Sequence, residues 1–139
     1  MSATDDLLRN AEGYAQTFDK GDLQIPPAKK VAIIACMDAR LVPTRILGLE
    51  EGDAHVIRNA GGVVTDDAIR SLAISQRLLG TEEVILVHHT DCGMLTFSDD
   101  DFRRAIQDDG PLELREETPV IPEEAVLPPP SEHTPALVT

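Results

Sequence analysis

The chain has few cysteines and few aromatic residues, and it lacks any long apolar segment. Its 139 residues include two cysteines, one tyrosine, three phenylalanines and no tryptophan. Two cysteines cannot form the disulfide framework of a small secreted protein, and in a reducing compartment paired thiols more often bind a metal or take part in catalysis. No apolar stretch approaches the roughly 20 residues that cross a bilayer, and the acidic N-terminus lacks the regions of a signal peptide. We therefore expect a cytoplasmic protein.

Basic residues are also scarce. The chain has 12 lysines and arginines against 25 acidic residues, which gives a net charge of −13. This balance argues against nucleic acid or an anionic membrane as a partner. The length favours a single small domain.

Composition divides the chain into three parts. Residues 1–28 predict an N-terminal helical arm that begins at Thr4, residues 29–110 an α/β core, and residues 111–139 a tail. The tail holds seven of the ten prolines and many glutamates, so we expect it to be extended and largely disordered. The arm has an apolar stripe at helical spacing, formed by Leu7, Leu8, Ala11, Tyr14, Ala15 and Phe18.

The core alternates predicted strands with predicted helices. Apolar runs at 31–35, 54–58 and 84–87 predict strands, of which the first and third are expected to be buried. Helices are predicted at 43–47, between Thr65 and Gly80, and after Ser98. The inward-facing positions predicted for the last two helices are Ile69, Leu72, Ala73 and Leu79, and Phe102, Ala105 and Ile106. This alternation predicts a parallel sheet of order 2-1-3 with helices on its faces.

Both cysteines and one histidine follow predicted strands. Cys36 comes directly after the first strand, and His89 and Cys92 come after the third. In the order 2-1-3 these strands are neighbours about 5 Å apart, so their carboxyl ends bring the three side chains together. Two thiolates and one imidazole suit Zn²⁺ and leave a fourth tetrahedral position open, which is typical of catalytic rather than structural zinc.

Other interpretations of these residues remain open. Cysteines after buried strands are often inert core groups, and Cys36 and Cys92 could form a disulfide or redox pair when zinc is absent. Asp38 and Arg40 could form only a structural salt bridge. Asp91 is more typical of a turn than of a metal ligand.

The remaining histidines have no assigned role. His55 is more typical of a core or surface position than of a proton shuttle. His88 could act as a shuttle or as a hydrogen-bond donor near the site, and His133 in the tail is expected to be solvent-exposed.

Three motifs together resemble the β-class carbonic anhydrases. They are Cys-x-Asp-x-Arg at 36–40, Arg-Asn-Ala-Gly-Gly at 58–62 and His-x-x-Cys-Gly at 89–93. The resemblance implies that Cys36, His89 and Cys92 are zinc ligands and that Asp38 and Arg40 form the neighbouring catalytic dyad. It also implies a homodimer or a dimer of dimers, in which the N-terminal helix wraps the other subunit.

The function that the resemblance implies is a zinc lyase. Zinc-bound hydroxide would reversibly hydrate carbon dioxide to bicarbonate, with an ionised Asp38 orienting the hydroxide. Backbone amides near Gly61 and Gly62, at the start of a predicted helix, could bind the bicarbonate. The alternatives are a hydrolase of a similar molecule, such as carbon disulfide or carbonyl sulfide, and a zinc-binding protein without useful catalysis.

The C-terminal part departs from the family. Relatives continue past the last cysteine through further helices to another strand, whereas here the proline-rich tail follows, so we expect a chain that is C-terminally truncated relative to the family. We expect an unpaired sheet edge, which is an aggregation liability. From the abrupt change in composition we also hypothesise that the coding sequence has lost its reading frame near Asp108.

Overall fold

The structure is a computed structural model that describes residues 2–109. The described residues belong to two units, 2–23 and 24–109, which are presented separately. The tail predicted at residues 111–139, and the reading-frame hypothesis that concerns it, lie outside this part of the chain.

The first unit contains helix α1, Ala3–Thr17. Its N-cap is Ser2 and the predicted cap at Thr4 is wrong, because the Ser2 hydroxyl accepts the backbone N–H of Asp5 at 3.2 Å. The Asp5 carboxylate in turn accepts the backbone N–H of Ser2 at 3.0 Å, which completes a capping box. None of the helix residues is buried, and Leu7 in the apolar stripe is 62% exposed.

The second unit is built on a parallel three-stranded sheet. Its strands are β1 (Val31–Cys36), β2 (Ala54–Asn59) and β3 (Glu83–Val87), in the order β2-β1-β3. The predicted fold class and strand order are therefore confirmed. The central strand β1 supplies most of the core, since Ala32 to Cys36 are at most 2% exposed.

Three helices connect or follow these strands. They are α2 (Pro43–Ile46), α3 (Asp66–Leu79) and α4 (Asp99–Asp109). As predicted, the Thr65 side chain caps α3 and Gly80 ends it in a left-handed conformation. Ser98 caps α4, where its hydroxyl accepts the backbone N–H of Asp101 at 3.2 Å. Within residues 2–109, no helix has the length and apolar character that crossing a membrane requires.

Several side chains predicted to be buried are exposed. In β3, Val84, Ile85 and Leu86 are 37% to 51% exposed, because β3 pairs only with β1 among residues 2–109 and forms an edge there. Ile69 of α3, and Phe102 and Ile106 of α4, are also about half exposed. Apolar periodicity indicates which side chains share a helix face, but it does not indicate what covers that face.

The turn after β2 packs tightly against the end of β1. It is a short 3₁₀ turn, Ala60–Gly62, and Gly62 has a φ of +65°. A Cβ atom at Gly62 would lie 2.8 Å from the backbone nitrogen of Cys36 and 3.0 Å from the carbonyl carbon of Ala35. The turn can therefore approach β1 only because residue 62 has no side chain.

We predict that Gly62→Ala destabilises the fold more than Gly48→Ala does. Gly48 has a similar φ of +64° but open space around its Cβ position. Gly48→Ala should therefore lower the free energy of unfolding only by the left-handed strain of about 1–2 kcal/mol. Gly62→Ala should cost about 1–3 kcal/mol more, because it adds a backbone clash to the same strain. Urea denaturation of both variants measures the difference, and equal losses would contradict the packing described for Gly62.

Candidate metal centre

One cluster of potential metal ligands lies at the carboxyl ends of β1 and β3. One ligand atom from each of Cys36, His89 and Cys92 lies within 4.8 Å of the others, and this is the one such group among residues 2–109. Cys36 ends the central strand, whereas His89 and Cys92 lie in the loop after β3. The parallel sheet thus brings together residues that are 53 or more positions apart in the chain, as the sequence predicts.

The His89 ring is oriented by the backbone beside it. Its Nδ1 atom lies 3.0 Å from the carbonyl oxygen of Thr90. A carbonyl oxygen only accepts, so Nδ1 carries the proton and donates, which leaves the Nε2 lone pair free. Nε2 is buried and has no hydrogen-bond partner among the described residues. A buried nitrogen without a partner, beside two sulfurs, fits a metal ligand better than a core histidine.

The two sulfurs fit a tetrahedral metal. Both cysteines are free, and their Sγ atoms are 3.8 Å apart. Two zinc–sulfur bonds of about 2.3 Å that meet at the tetrahedral angle hold their sulfur atoms about 3.8 Å apart. The donor set and its spacing therefore fit zinc.

Neighbouring groups favour the thiolate of Cys36. Its interaction with His89 contributes most to lowering the Cys36 pKa to about 7, followed by the backbone N–H of Asp38, while burial acts in the opposite direction. The same sulfur is the main influence that raises the pKa of His89. Thiolate is the form of cysteine that binds a metal, so this environment favours coordination by Cys36.

Asp38 and Arg40 form a bidentate ion pair next to the cluster. Arg40 donates from Nε to Oδ1 at 3.0 Å and from Nη2 to Oδ2 at 2.6 Å, and its backbone N–H also reaches Oδ1 at 2.9 Å. The hydrogen bonds from the Arg40 side chain are the main cause that holds the pKa of Asp38 well below its usual range. Oδ2 lies 3.9 Å from Nε2 of His89, so an ionised carboxylate borders the cluster.

Arg40 also connects the loop after β1 with the loop after β3. Its Nη2 atom donates to the carbonyl oxygen of Asp91 at 2.9 Å, and Nη1 lies 3.5 Å from the Asp91 carboxylate. Asp91 has a φ of +55°, a conformation that aspartate adopts more readily than most residues. This geometry agrees with the interpretation of Asp91 as a turn residue.

The two glycines predicted to bind bicarbonate lie beside Cys36. The backbone N–H of Gly61 is among the groups that lower the Cys36 pKa, and Gly62 packs on the Cys36 backbone. Both positions thus have a role in packing against the cluster. Bicarbonate binding by their amides stays a prediction.

The remaining histidines are not members of the three-residue cluster or lie outside the described residues. His55 Nδ1 is 2.7 Å from the hydroxyl oxygen of Ser75, which in turn is 2.6 Å from that of Thr81. Ser75 and Thr81 are buried, so this chain of hydrogen bonds joins β2, α3 and the following loop. His88 is exposed, and His133 lies outside residues 2–109.

Arg58 contacts the site although no role was predicted for it. From the end of β2 it donates to the carbonyl oxygens of Cys36, the last residue of β1, and of Asp38 and Leu41 in the loop that follows. The one sequence feature that could have indicated a role for Arg58 is its place in the motif at 58–62. Its partners are backbone carbonyl oxygens, and the sequence does not reveal contacts with backbone atoms.

Three known proteins illustrate what the chain resembles. It is 71% identical over 109 residues to Beta-carbonic anhydrase 1 of Mycobacterium tuberculosis. This match covers 78% of this chain and 66% of the relative, so the chain spans just under two thirds of the relative's length. It is 40% identical over 112 residues to a carbon disulfide hydrolase of Acidithiobacillus thiooxidans, covering 79% of this chain and 56% of that one. The solved carbonic anhydrase of Glaciozyma antarctica superimposes with a TM-score of 0.71 at 52% identity, covering 80% of this chain and 66% of that one.

The match extends to a whole family. Residues 31–112, which contain the sheet, the cysteine–histidine cluster and the ion pair between Asp38 and Arg40, match the family described as carbonic anhydrase. The relatives at high identity carry the name of its β class. The chain therefore belongs to the β-carbonic anhydrase family.

Proposed function

We propose that this protein binds one zinc ion through Cys36, His89 and Cys92 and catalyses the reversible hydration of carbon dioxide to bicarbonate. The observation that carries the proposal is the convergence of two thiols and an unpartnered imidazole nitrogen beside an ionised carboxylate. The mycobacterial relative with 71% identity, named a β-carbonic anhydrase, supports carbon dioxide as the substrate.

The ligand set determines what chemistry the ion supplies. A bound zinc lowers the pKa of coordinated water, and two thiolate ligands make this effect weaker than in a three-histidine site, where that pKa is about 7. Cys36, His89 and Cys92 occupy three positions, and three protein ligands leave room for a reactant, as in other catalytic zinc sites.

Asp38 has the geometry of an orienting acceptor. A carboxylate offers about four acceptor positions, and Arg40 occupies two on Oδ1 and one on Oδ2. Oδ2 therefore keeps one position, and this atom is the one that lies 3.9 Å from Nε2 of His89. Asp38 could therefore accept a hydrogen bond from the oxygen nucleophile of the hydration reaction and orient it towards the substrate carbon.

The assembly that we propose is a homodimer, or a dimer of such dimers. The exposed apolar side chains of α1, such as Leu7 and Tyr14 at 62% and 42% exposure, support a second copy of the chain as the partner. Both cysteines are free thiols, which supports a reducing compartment such as the cytoplasm.

A second candidate function is the hydrolysis of carbon disulfide or carbonyl sulfide. It is favoured by relatives named carbon disulfide hydrolase that are 40% to 47% identical to this chain. Both substrates resemble CO₂ in shape and would meet the same ligands. Sulfide release from either substrate, with no CO₂ hydration, would favour this candidate, whereas zinc binding without either activity would favour a protein without useful catalysis.

We predict that the purified protein carries about one zinc ion per chain. Cys36→Ser, His89→Ala and Cys92→Ser should each lose most of this zinc, because each removes one of three protein ligands. His88→Ala is the matched control, since this neighbouring histidine is exposed, and it should retain zinc. Elemental analysis after gel filtration measures the metal content, and full retention in any one ligand variant would remove that residue from the site.

We also predict that CO₂ hydration by the zinc-loaded protein increases with pH above about 7, later than in a three-histidine site. Asp38 stays ionised throughout pH 6–9 because Arg40 holds its pKa well below the usual range, so its own titration does not produce this rise. Asp38→Ala should keep zinc but lower the turnover rate by about 10- to 100-fold.

Stopped-flow hydration assays measure both effects. Asp67→Asn, which changes an exposed acid in the first turn of α3, is the control and should match the unmodified protein. A flat profile from pH 6 to 9 would contradict the role of the thiolate charge. Unchanged turnover in Asp38→Ala would contradict the role of the carboxylate.

A further inference from the structure

We propose that Arg58 is a positioning residue of this site, which holds the Asp38 backbone at a fixed place relative to Cys36. The proposal rests on the proposed function for its catalytic consequence, but its structural part does not depend on turnover.

Arg58 reaches the site from the neighbouring strand. It lies in β2 opposite Ala35, so its side chain starts one residue before Cys36 in the register of the sheet. Nε and Nη2 donate to the carbonyl oxygen of Cys36 at 3.0 and 2.8 Å. Nη2 also donates to the carbonyl oxygens of Asp38 and Leu41, both at 2.9 Å. One guanidinium group thus holds three carbonyl groups, one at the end of β1 and two in the loop that follows it.

These contacts use the positive charge of Arg58. Within residues 2–109, Arg58 has no carboxylate at ion-pair distance, whereas Arg40 pairs with Asp38. Three carbonyl oxygens that point to one place carry partial negative charges that repel one another, and a cation between them offsets this repulsion. Arg58 supplies that cation, so the loop conformation depends on it.

The loop that Arg58 holds is the one that carries Asp38. The Asp38 carbonyl oxygen accepts the backbone N–H of Leu41 at 2.9 Å as well as the Arg58 guanidinium, while the Asp38 carboxylate is held by Arg40. Arg58 therefore fixes the main chain of Asp38, and Arg40 fixes its side chain. Because Arg58 also binds the Cys36 carbonyl, it sets the distance between the ligand and the acceptor.

A lysine at position 58 could not make the same set of hydrogen bonds as Arg58. A planar guanidinium presents donors in a rigid fork, whereas an ammonium group is a single flexible point charge. Arg58→Lys keeps the charge but loses the fork, and Arg58→Gln loses both. Arg70→Gln, an exposed position on α3, is the matched control.

The first experiment measures amide hydrogen exchange in the zinc-loaded full chain. We expect Arg58→Gln to accelerate exchange at residues 37–42 by about 10-fold, with no change in α3 and no change in Arg70→Gln. Unchanged exchange at residues 37–42 would overturn the proposal. This result does not require activity, so it decides the structural part even if the protein proves inactive towards CO₂.

The second experiment is a double-mutant cycle on CO₂ hydration. We expect Arg58→Gln to keep its zinc and to keep its KM within about 2-fold. Its kcat should fall by about 10- to 100-fold, because a small displacement of the Asp38 carboxylate slows the reaction that it orients. In the Asp38→Ala background the same change should lower kcat less than about 3-fold, because Arg58 acts through Asp38. Arg58→Lys replaces Arg58→Gln if the latter does not fold, and it should show the same dependence on Asp38 with a smaller loss.

Two outcomes of the cycle would overturn the proposal. One is an additive loss in the two backgrounds, which would indicate a general structural role for Arg58. The other is a fall in kcat of Arg58→Gln that is fully explained by an equal loss of zinc from this variant. Absence of hydration in the unmodified protein would instead contradict the proposed function, and the exchange measurement would then decide on Arg58 alone.

Discussion

The parallel pairing of β1 with both of its neighbours is the constraint on which the site depends. In this register Ala35 lies opposite Arg58 on one side and Val87 on the other, so the loops after all three strands begin at nearly the same level. A shift of one residue in the pairing of β1 with β3 would turn the side chains that follow one of these strands to the other face of the sheet. Cys36 could then no longer meet His89 and Cys92. The buried central strand, with its side chains on both faces enclosed, resists such a shift.

Two arginines join the loops that follow these strands. Arg40 lies in the loop after β1 and binds both Asp38 and the Asp91 carbonyl in the loop after β3. Arg58 lies at the end of β2 and binds the carbonyl oxygen of Cys36 at the end of β1 and that of Asp38 in the following loop. In the proposed site, Cys36, His89 and Cys92 bind the metal, whereas Arg40 and Arg58 determine where the Asp38 carboxylate lies relative to it. Under the proposed function, metal binding and orientation of a reactant therefore depend on different residues.

The fold and the cluster could be predicted because they depend on signals that are local in the sequence. Apolar runs predicted the strands, and the rule that parallel strands place their carboxyl ends at one edge predicted the meeting of Cys36 with His89. The N-cap of α1 was misplaced because Ser2 and Thr4 are both good caps and lie two residues apart. The exposure of apolar side chains in β3 and α4 was not predicted, because apolar periodicity does not indicate which other part of the chain covers a given face. The contacts of Arg58 are with backbone atoms, which carry no residue-specific signal.

The most direct test of the central claim is X-ray absorption at the zinc edge of the full chain purified with its metal. The proposed ligands predict two sulfur neighbours at about 2.3 Å and one imidazole nitrogen at about 2.0–2.1 Å, with a light atom completing four-coordination. Cys92→Ser, reconstituted with excess zinc, should lose one sulfur neighbour from this spectrum. A spectrum with only nitrogen and oxygen neighbours, or one unchanged in Cys92→Ser, would contradict the assignment of Cys36, His89 and Cys92 as a zinc centre.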